Sequence, residues 1–458
     1  MKENIISDLK EIVEEERVFS SVEDRLCYSY DATNISYLPD VVVIPLTTQE
    51  VVDVVKYAHQ NKIPLVTRGT GSGYTGGSLP IKGGIVMSLE QMDKILEINS
   101  EKRYVVVQPG VITLDLKTEV AKHNLLYAPD PSSDKMSTLG GNVAENAGGL
   151  KGRKYGVTRN YILGLELVLS GGQIVRTGFF DPEDEGGYDL DSLIIGSEGT
   201  LGVITKMALR LLPQASYEET ILASFGDKED AARVVSEITA AGIIPSTMEF
   251  IDTDTLDCVL EYMQTDLVPK GGPVLLIELD GEDREKVHPE MEKIEKICQK
   301  NKVRSLKFAD TKADKEKLWK VRKSCSAALL RVAPTKVNED VCVPPSQLPA
   351  LVSGIKKLSE KHNIPIDTFG HAGDGNLHVN IMADRKDPEK MERAEKAAEE
   401  LFDLTLELGG TLSGEHGIGI TKSKFLENEV GKTGIEVMRK VKKAFDPDNI
   451  LNPGKIFS

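Results

Sequence analysis

Cysteine is scarce in this chain. The five residues, Cys27, Cys258, Cys298, Cys325 and Cys342, are scattered and odd in number. No Cys-x-x-Cys pair occurs, which argues against a disulfide framework and against a cysteine-held metal or iron–sulfur cluster. A reduced, cytoplasmic protein is expected. Long apolar runs are missing too. None approaches about 18 residues, so no transmembrane segment is expected. The stretch Met1–Lys10 lacks the apolar core of a signal peptide. Positive charge is in deficit, with 56 Lys and Arg against 72 Asp and Glu and a net charge of −16. That argues against nucleic acid or an anionic membrane as the main partner, but not against a small anion in a local basic pocket. Histidine is rare, with seven in 458 residues, so its placing is informative.

What is present suits a soluble globular protein of two or three domains. Residues 1–37 read as polar and helical, with Ile5, Leu9, Ile12 and Val13 at helical spacing. The run Asp40–Pro45 is strand-like. A helix capped by Thr48 follows, with Val51, Val52, Val54 and Val55 on one face, and then a strand at Ile63–Thr67. This is a β-α-β pattern. From Glu218 onward strands and helices alternate at longer spacing, with amphipathic helices expected over 229–241, 282–301, 312–332, 346–362 and 387–408. The boundary is placed near 214–218. The reading gives a first domain over 1–215, a second over 216–415, and a segment 416–458 returning to the first.

Two kinds of loop carry chemistry. Arg68-Gly-Thr-Gly-Ser-Gly-Tyr-Thr-Gly-Gly77 contains a literal GxGxxG, but turn residues and the strand Ile85–Leu89 follow it. A dinucleotide fingerprint of the Rossmann type needs a helix opening there. Glycine N–H groups in succession can still form a nest for a diphosphate. A second small-residue stretch, Thr138–Gly149, permits close approach to a flat ligand, or else packs a helix on a sheet. Gly370-His-Ala-Gly-Asp-Gly-Asn-Leu-His-Val-Asn380 and Ser413-Gly-Glu-His-Gly417 together offer three imidazoles and a carboxylate, beside Asp374 and Asn380. Such donors suit a borderline divalent metal, and glycines let the chain turn sharply behind them.

Together with Pro129-Asp-Pro131, Gly140-Gly-Asn142, Asn146-Ala-Gly-Gly149, Gly196–Gly202 and Phe445–Gly454, these motifs resemble the vanillyl-alcohol-oxidase/PCMH-type FAD proteins. Within that group the chain is most similar to the FAD-linked D-2-hydroxyacid dehydrogenases, of the glycolate oxidase large subunit and D-lactate dehydrogenase type. The resemblance runs from Pro45 to Pro453. It implies an α+β fold: a PCMH-type FAD-binding domain plus an α/β cap domain with an antiparallel sheet. It further implies that Arg68, Gly69, Thr70, Gly71, Ser72, Gly73, Tyr74, Gly76 and Gly77 hold the FAD diphosphate. Pro129, Ser132, Gly141, Asn142, Ala147, Gly148 and Gly149 would line the flavin. Gly196, Glu198, Gly199, Gly202, Ile204 and Asn452 would follow the rest of the cofactor. With no histidine between Arg68 and Gly77 and no cysteine between Tyr127 and Gly149, noncovalent FAD is implied.

The same resemblance implies His371, His378 and Glu415 as ligands of a divalent metal (Zn, Fe or Mn), with His416 as the base. It makes Arg322 the substrate-carboxylate arginine, Lys336 a second cation and Asn380 a substrate contact. A 2-hydroxyacid fits these groups. An arginine grips its carboxylate bidentately, a metal lowers the pKa of its hydroxyl, an imidazole takes the proton, and hydride passes to flavin N5. The implied reaction is oxidation of D-lactate or glycolate to the 2-oxoacid. The implied acceptor is not NAD: an electron-transferring flavoprotein, an iron–sulfur partner subunit, a quinone or oxygen. Competing readings are a metal-free FAD-binding subunit, a same-fold oxidase of another alcohol, and a metallohydrolase without flavin.

Overall fold

The computed structural model describes residues 2–180 and 188–457. The chain divides into two compact units. The first comprises Met1–Gly148, Val157–Gln214 and Glu415–Ser458, and the second Gly149–Gly156 and Ala215–Gly414.

The first unit is built on two larger sheets, with a short two-stranded one formed by Leu125–Leu126 and Leu212–Pro213. In the four-stranded sheet the order is Val18–Phe19, Val41–Val43, Ile85–Ser88, Leu65–Arg68. The last three strands run parallel. The helix Thr48–Asn61 joins two of them and buries Val51, Val52, Val54, Val55 and Ala58 against Val41, Val43, Leu65, Ile85 and Met87. The β-α-β reading therefore holds, but Ile85–Ser88 separates its two strands. The cap is Thr47 rather than Thr48. Its hydroxyl accepts from the Glu50 N–H at 3.2 Å, because the N-cap precedes the first helical residue. The five-stranded sheet is antiparallel, in the order Ile95–Asn99, Tyr104–Val107, Val203–Arg210, Ile162–Val168, Ile174–Arg176. The short helix Leu139–Glu145 is capped by Thr138. A Cβ at Gly140 would come within 2.6 Å of Pro109 Cβ. Part of the small-residue stretch is therefore small because a helix packs closely there.

The C-terminal segment closes this unit. Leu65 donates its N–H to the Ile450 carbonyl at 2.8 Å, and Asn452 donates to the Leu65 carbonyl at 2.8 Å. Asp446 accepts from the Leu451 N–H at 2.7 Å. The buried Lys442 donates to the carbonyls of Thr200 and Leu451 at 2.8 Å each.

The second unit is one seven-stranded antiparallel sheet. Its order is Ser305–Phe308, Tyr217–Ser224, Val274–Gly281, Thr247–Ile251, Ile366–His371, Asn376–Ala383, Thr335–Cys342. The helices Thr253–Met263 and Lys312–Ala328 cover one face through an apolar cluster that includes Leu222, Ile251, Leu276, Phe369 and Met382. Lys228–Ala240, Leu348–His362 and Pro388–Glu407 pack on each other beside the alternate residues of the sheet. Gly149–Gly156 joins this unit through Lys154 and Tyr155. Both donate to the Asp280 carboxylate, Tyr155 at 2.8 Å. No helix of the described residues is long and apolar enough to cross a membrane.

The turn between Ile366–His371 and Asn376–Ala383 depends on Gly375. Its φ is +81°, and an added Cβ would lie 1.8 Å from the Val343 carbonyl oxygen. Gly375→Ala is therefore expected to cost about 2–4 kcal/mol, from a left-handed backbone and a collision with main chain that cannot swing away. Denaturant unfolding checks this, and an unchanged midpoint would show that the turn tolerates a side chain.

Candidate active site

The two histidines of the 370–380 stretch lie on paired strands rather than in a loop. His378 is directly opposite Phe369, and His371 lies two residues beyond Phe369. Residues opposite one another, or two apart along a strand, share a face. Both imidazoles therefore project from the face covered by Lys312–Ala328. Their Nε2 atoms are 3.4 Å apart, and both side chains are buried.

The residue that organises this face went unnoticed in the sequence. Glu249 is fully buried, on the neighbouring strand Thr247–Ile251. One oxygen accepts from His371 Nδ1 at 2.7 Å. The other accepts from Arg322 Nε at 2.5 Å. A carboxylate can only accept, so His371 carries its proton on Nδ1 and presents a lone pair at Nε2. A signal was there to be read: a lone acid inside Thr-Met-Glu-Phe-Ile, a run that otherwise reads as a buried strand.

Arg322 stands on Lys312–Ala328 in a stripe with Lys315 and Trp319. Lys315 pairs with the buried carboxylate of Glu278 at 2.9 Å, and the Trp319 indole N–H donates to it at 3.2 Å. Arg322 is 4% exposed, although a charged helix residue is usually solvated. Its guanidinium lies 4.8 Å from the centroid of the Phe369 ring. Among the described residues its Nη2 has no hydrogen-bond partner. One turn along the same helix, Ser326 accepts from Lys336. Burial pushes the Lys336 ammonium down to about 8. Asn380 is fully buried and its amide is spent on the protein. It donates to the carbonyls of Asp367 and His378 at 3.1 and 3.0 Å and accepts from Asn338 at 2.7 Å. Asp374 is a turn residue, donating its N–H to the His371 carbonyl at 3.0 Å.

Glu415 is the first residue after the second unit. The preceding Gly414 donates to the carbonyl of Asp340 at 2.9 Å. Asp340 is the residue opposite His378 in the sheet.

In the first unit, the stretch Gly69–Gly77 turns between strand Leu65–Arg68 and strand Ile85–Ser88. Gly71 and Gly76 have φ of +75° and +80°, and a Cβ at Gly73 would meet nothing within 4 Å. Arg68 does not face outward. It donates to the carbonyls of Tyr28, Tyr30, Gly69 and Thr70 at 2.9–3.1 Å and so holds the loop in shape. Thr70 donates to the Met136 carbonyl at 2.7 Å. Asn142 donates one amide N–H to Thr113 at 2.8 Å. Pro129 is buried and Ser132 exposed. Ala147 and Gly148 follow the helix Leu139–Glu145, while Gly149 belongs to the second unit. Gly196 and Gly199 have positive φ and no atom within 3.4 Å of a would-be Cβ. Gly202 packs on Leu167, and Ile204 is buried in its strand.

Asn452 ties three motifs together, donating to the carbonyls of Gly77 and Glu198 at 2.8 and 2.7 Å. Glu198 is a left-handed, non-glycine residue (φ 54°) with a buried carboxylate. That carboxylate accepts from the N–H groups of Ile418 and Gly419, both at 2.7 Å. Burial raises its pKa, opposed by those two bonds. The same loop presents His416, stacked on Tyr74 with ring centroids 5.0 Å apart.

A family model described as "FAD linked oxidases, C-terminal domain" matches residues 214–456, and one described as "FAD binding domain" matches 39–178. The chain is 46% identical over 435 residues to the glycolate oxidase subunit GlcD of Bacillus subtilis, covering 95% of this chain and 92% of that protein. It is 36% identical over 463 residues to a D-lactate dehydrogenase of Archaeoglobus fulgidus, covering 98% of each. A solved structure of p-cresol methylhydroxylase with substrate bound superposes with a TM-score of 0.81 over 99% of this chain and 96% of that one. At 18% identity, that likeness speaks for the fold alone.

If Glu198 holds the loop after His416, Glu198→Ala frees two amides. Hydrogen exchange at Ile418 and Gly419 is expected to speed up at least about tenfold, the equivalent of one lost hydrogen bond. Unchanged protection would show that the loop is held by something else.

Proposed function

Because the chain belongs to the family of FAD-linked oxidases, we propose that it oxidises a D-2-hydroxyacid, D-lactate or glycolate, to the 2-oxoacid with the aid of a divalent metal. FAD-linked oxidation of hydroxyacids is the chemistry named in its relatives. The carrying observation is on one face of the second unit. An arginine with an unspent Nη2 and one of two facing imidazoles share one buried carboxylate. A 2-hydroxyacid has the matching pair of groups, a carboxylate beside a hydroxyl.

Both implied groups fit the residues present. Nitrogen ligands at about 2.1 Å from a tetrahedral ion stand about 3.4 Å apart, which is the separation of the two Nε2 atoms. Imidazole and carboxylate are donors that suit such an ion, and we assign His371, His378 and Glu415 as its ligands. A cation there supplies Lewis-acid polarisation of the substrate hydroxyl. For FAD, the open glycine backbone at Gly73, Gly196 and Gly199 leaves room where side chains would stand. FAD supplies the hydride acceptor. We assign the glycine loop to its diphosphate, and Pro129–Gly149 with Gly196–Ile204 to the remainder. Arg68, Asn142 and Asn452 act by shaping that seat.

The roles of the chain's own residues follow from their chemistry. Arg322 offers Nη2 to the substrate carboxylate in a site where burial strengthens the pair. Lys336 adds a second positive charge one helical turn away. His416 takes the hydroxyl proton, and its stacking on Tyr74 holds the ring in orientation. Asn380 keeps the strand pair in register and holds Asn338. Electrons leave through a non-NAD acceptor. Because a relative is named as a subunit, we assign that task to a partner subunit or an electron-transferring flavoprotein.

The purified protein is expected to show a flavin spectrum, and anaerobic addition of D-lactate or glycolate is expected to bleach it. D-2-hydroxyglutarate serves as the comparison for tail length. If none of the three bleaches a bound flavin, the substrate assignment falls.

The lowered pKa of Lys336 gives a pH signature. The ammonium is the binding form, so affinity for the carboxylate is full below pH about 8 and declines above it. KM for the hydroxyacid is therefore expected to be flat to pH 8 and then to rise about tenfold per pH unit. Lys336→Arg should remove the rise, since guanidinium stays charged. A rise of the same size in that variant would assign the titration to another group.

A further inference from the structure

Glu249 divides its two oxygens between partners of different kinds. Arg322 Nε always bears hydrogen. His371 Nδ1 bears hydrogen only in one of two tautomers. We propose that Glu249 is a positioning residue that sets the tautomer of His371 and thereby decides whether the cation seat exists, while it fixes Arg322 with its other oxygen. The inference rests on the assignment of His371 as a ligand in the preceding section.

The argument is one of donors and acceptors. With a carboxylate on Nδ1, the proton must be on Nδ1, and the Nε2 lone pair faces His378 Nε2 at 3.4 Å. A glutamine of the same shape changes only the last step. Its single oxygen goes to Arg322, which cannot accept. Its NH2 then faces His371 Nδ1, and the ring satisfies it by moving the proton to Nε2. Every hydrogen bond is remade and the arginine keeps its place, although it loses its counter-charge. The lone pair toward His378 is gone. Partners of this kind are worth about 10- to 100-fold in metal affinity.

Glu249→Gln thus separates two functions that share one side chain. In the FAD-loaded enzyme, Zn2+ affinity measured against a chromophoric chelator should fall about 10- to 100-fold. KM for D-lactate, measured on folded protein at saturating Zn2+, should change less than about threefold, while the thermal midpoint falls because the buried Arg322 loses its counter-charge. Glu249→Ala should lose both, with weaker Zn2+ binding and a raised KM, because Arg322 is then unheld. His371→Ala sets the floor for Zn2+ binding. Zn2+ affinity of wild-type strength in Glu249→Gln would overturn the proposal. So would a loss of affinity only in step with a loss of folded protein. Nitrogen-15 chemical shifts of the imidazoles in the metal-free enzyme read the tautomer directly. They should report Nδ1–H on His371 in the wild type and Nε2–H in Glu249→Gln, and the same tautomer in both would end the idea. Wild-type Zn2+ binding no stronger than that of His371→Ala would overturn the ligand assignment instead. The tautomer measurement still decides the role of Glu249 in that case.

Discussion

Glu249 carries a charge into the interior of a sheet, where an unpaired carboxylate costs several kcal/mol. Its position is tolerable because both oxygens are taken, one by Arg322 and one by His371. The dependence runs in the other direction as well. Arg322 is buried on a helix that must dock flat on the strands, and it docks with Lys315 and Trp319 on a second buried acid, Glu278. Two carboxylates rising from the sheet thus meet one stripe of a helix. The apolar cluster of Leu222, Ile251, Leu276 and Phe369 under the same helix contributes most of the burial energy. The acids fix where along its length the helix settles. Removing one partner of such a pair leaves the other stranded, at about 3–5 kcal/mol, so the pair is positional before it is stabilising.

The first unit uses the same device on a different scale. Its glycine loop has few side chains of its own to hold it, Thr70 and Thr75 among them, so much of its shape comes from outside. Arg68 braces it through four carbonyls, and Asn452 pins Gly77 to Glu198 from the far end of the chain. Glu198 in turn takes the two amides just after His416. The glycine loop and the loop that carries His416 are therefore parts of one bonded network within this unit.

Much of this was legible in the sequence, and the limits have physical reasons. The valine stripe at 51–55 gave the helix, but the cap fell one residue early because Thr47 and Thr48 are chemically alike. The glycines around His371 suggested a loop. They form the tight turn of a hairpin, and alternation along its second strand brings His378 back beside His371. Periodicity places residues on a face, but it does not say which strands will be neighbours. That is why Glu249, more than 100 positions away from His371, was missed. Asn380 shows the opposite limit. The resemblance marks it as a substrate contact, but only the structure reveals that its amide is already spent on Asp367, His378 and Asn338.

The distinction between a residue that touches a ligand and one that holds such a residue runs through both units. Polar side chains whose hydrogen bonds are spent on several protein partners, such as Arg68, Asn380 and Asn452, serve to orient. Arg322 differs because Nε is used and Nη2 is not. The fork geometry of guanidinium makes this division useful. The Nε edge fixes the plane, and the remaining edge is then aimed in a direction that rotation of a free side chain would blur. His371 is built the same way, with one nitrogen spent to aim the other. A single buried acid thus aims a cationic fork and a neutral lone pair from one point. That is what a site needs to meet a carboxylate and its neighbouring oxygen with two different chemistries at a fixed spacing.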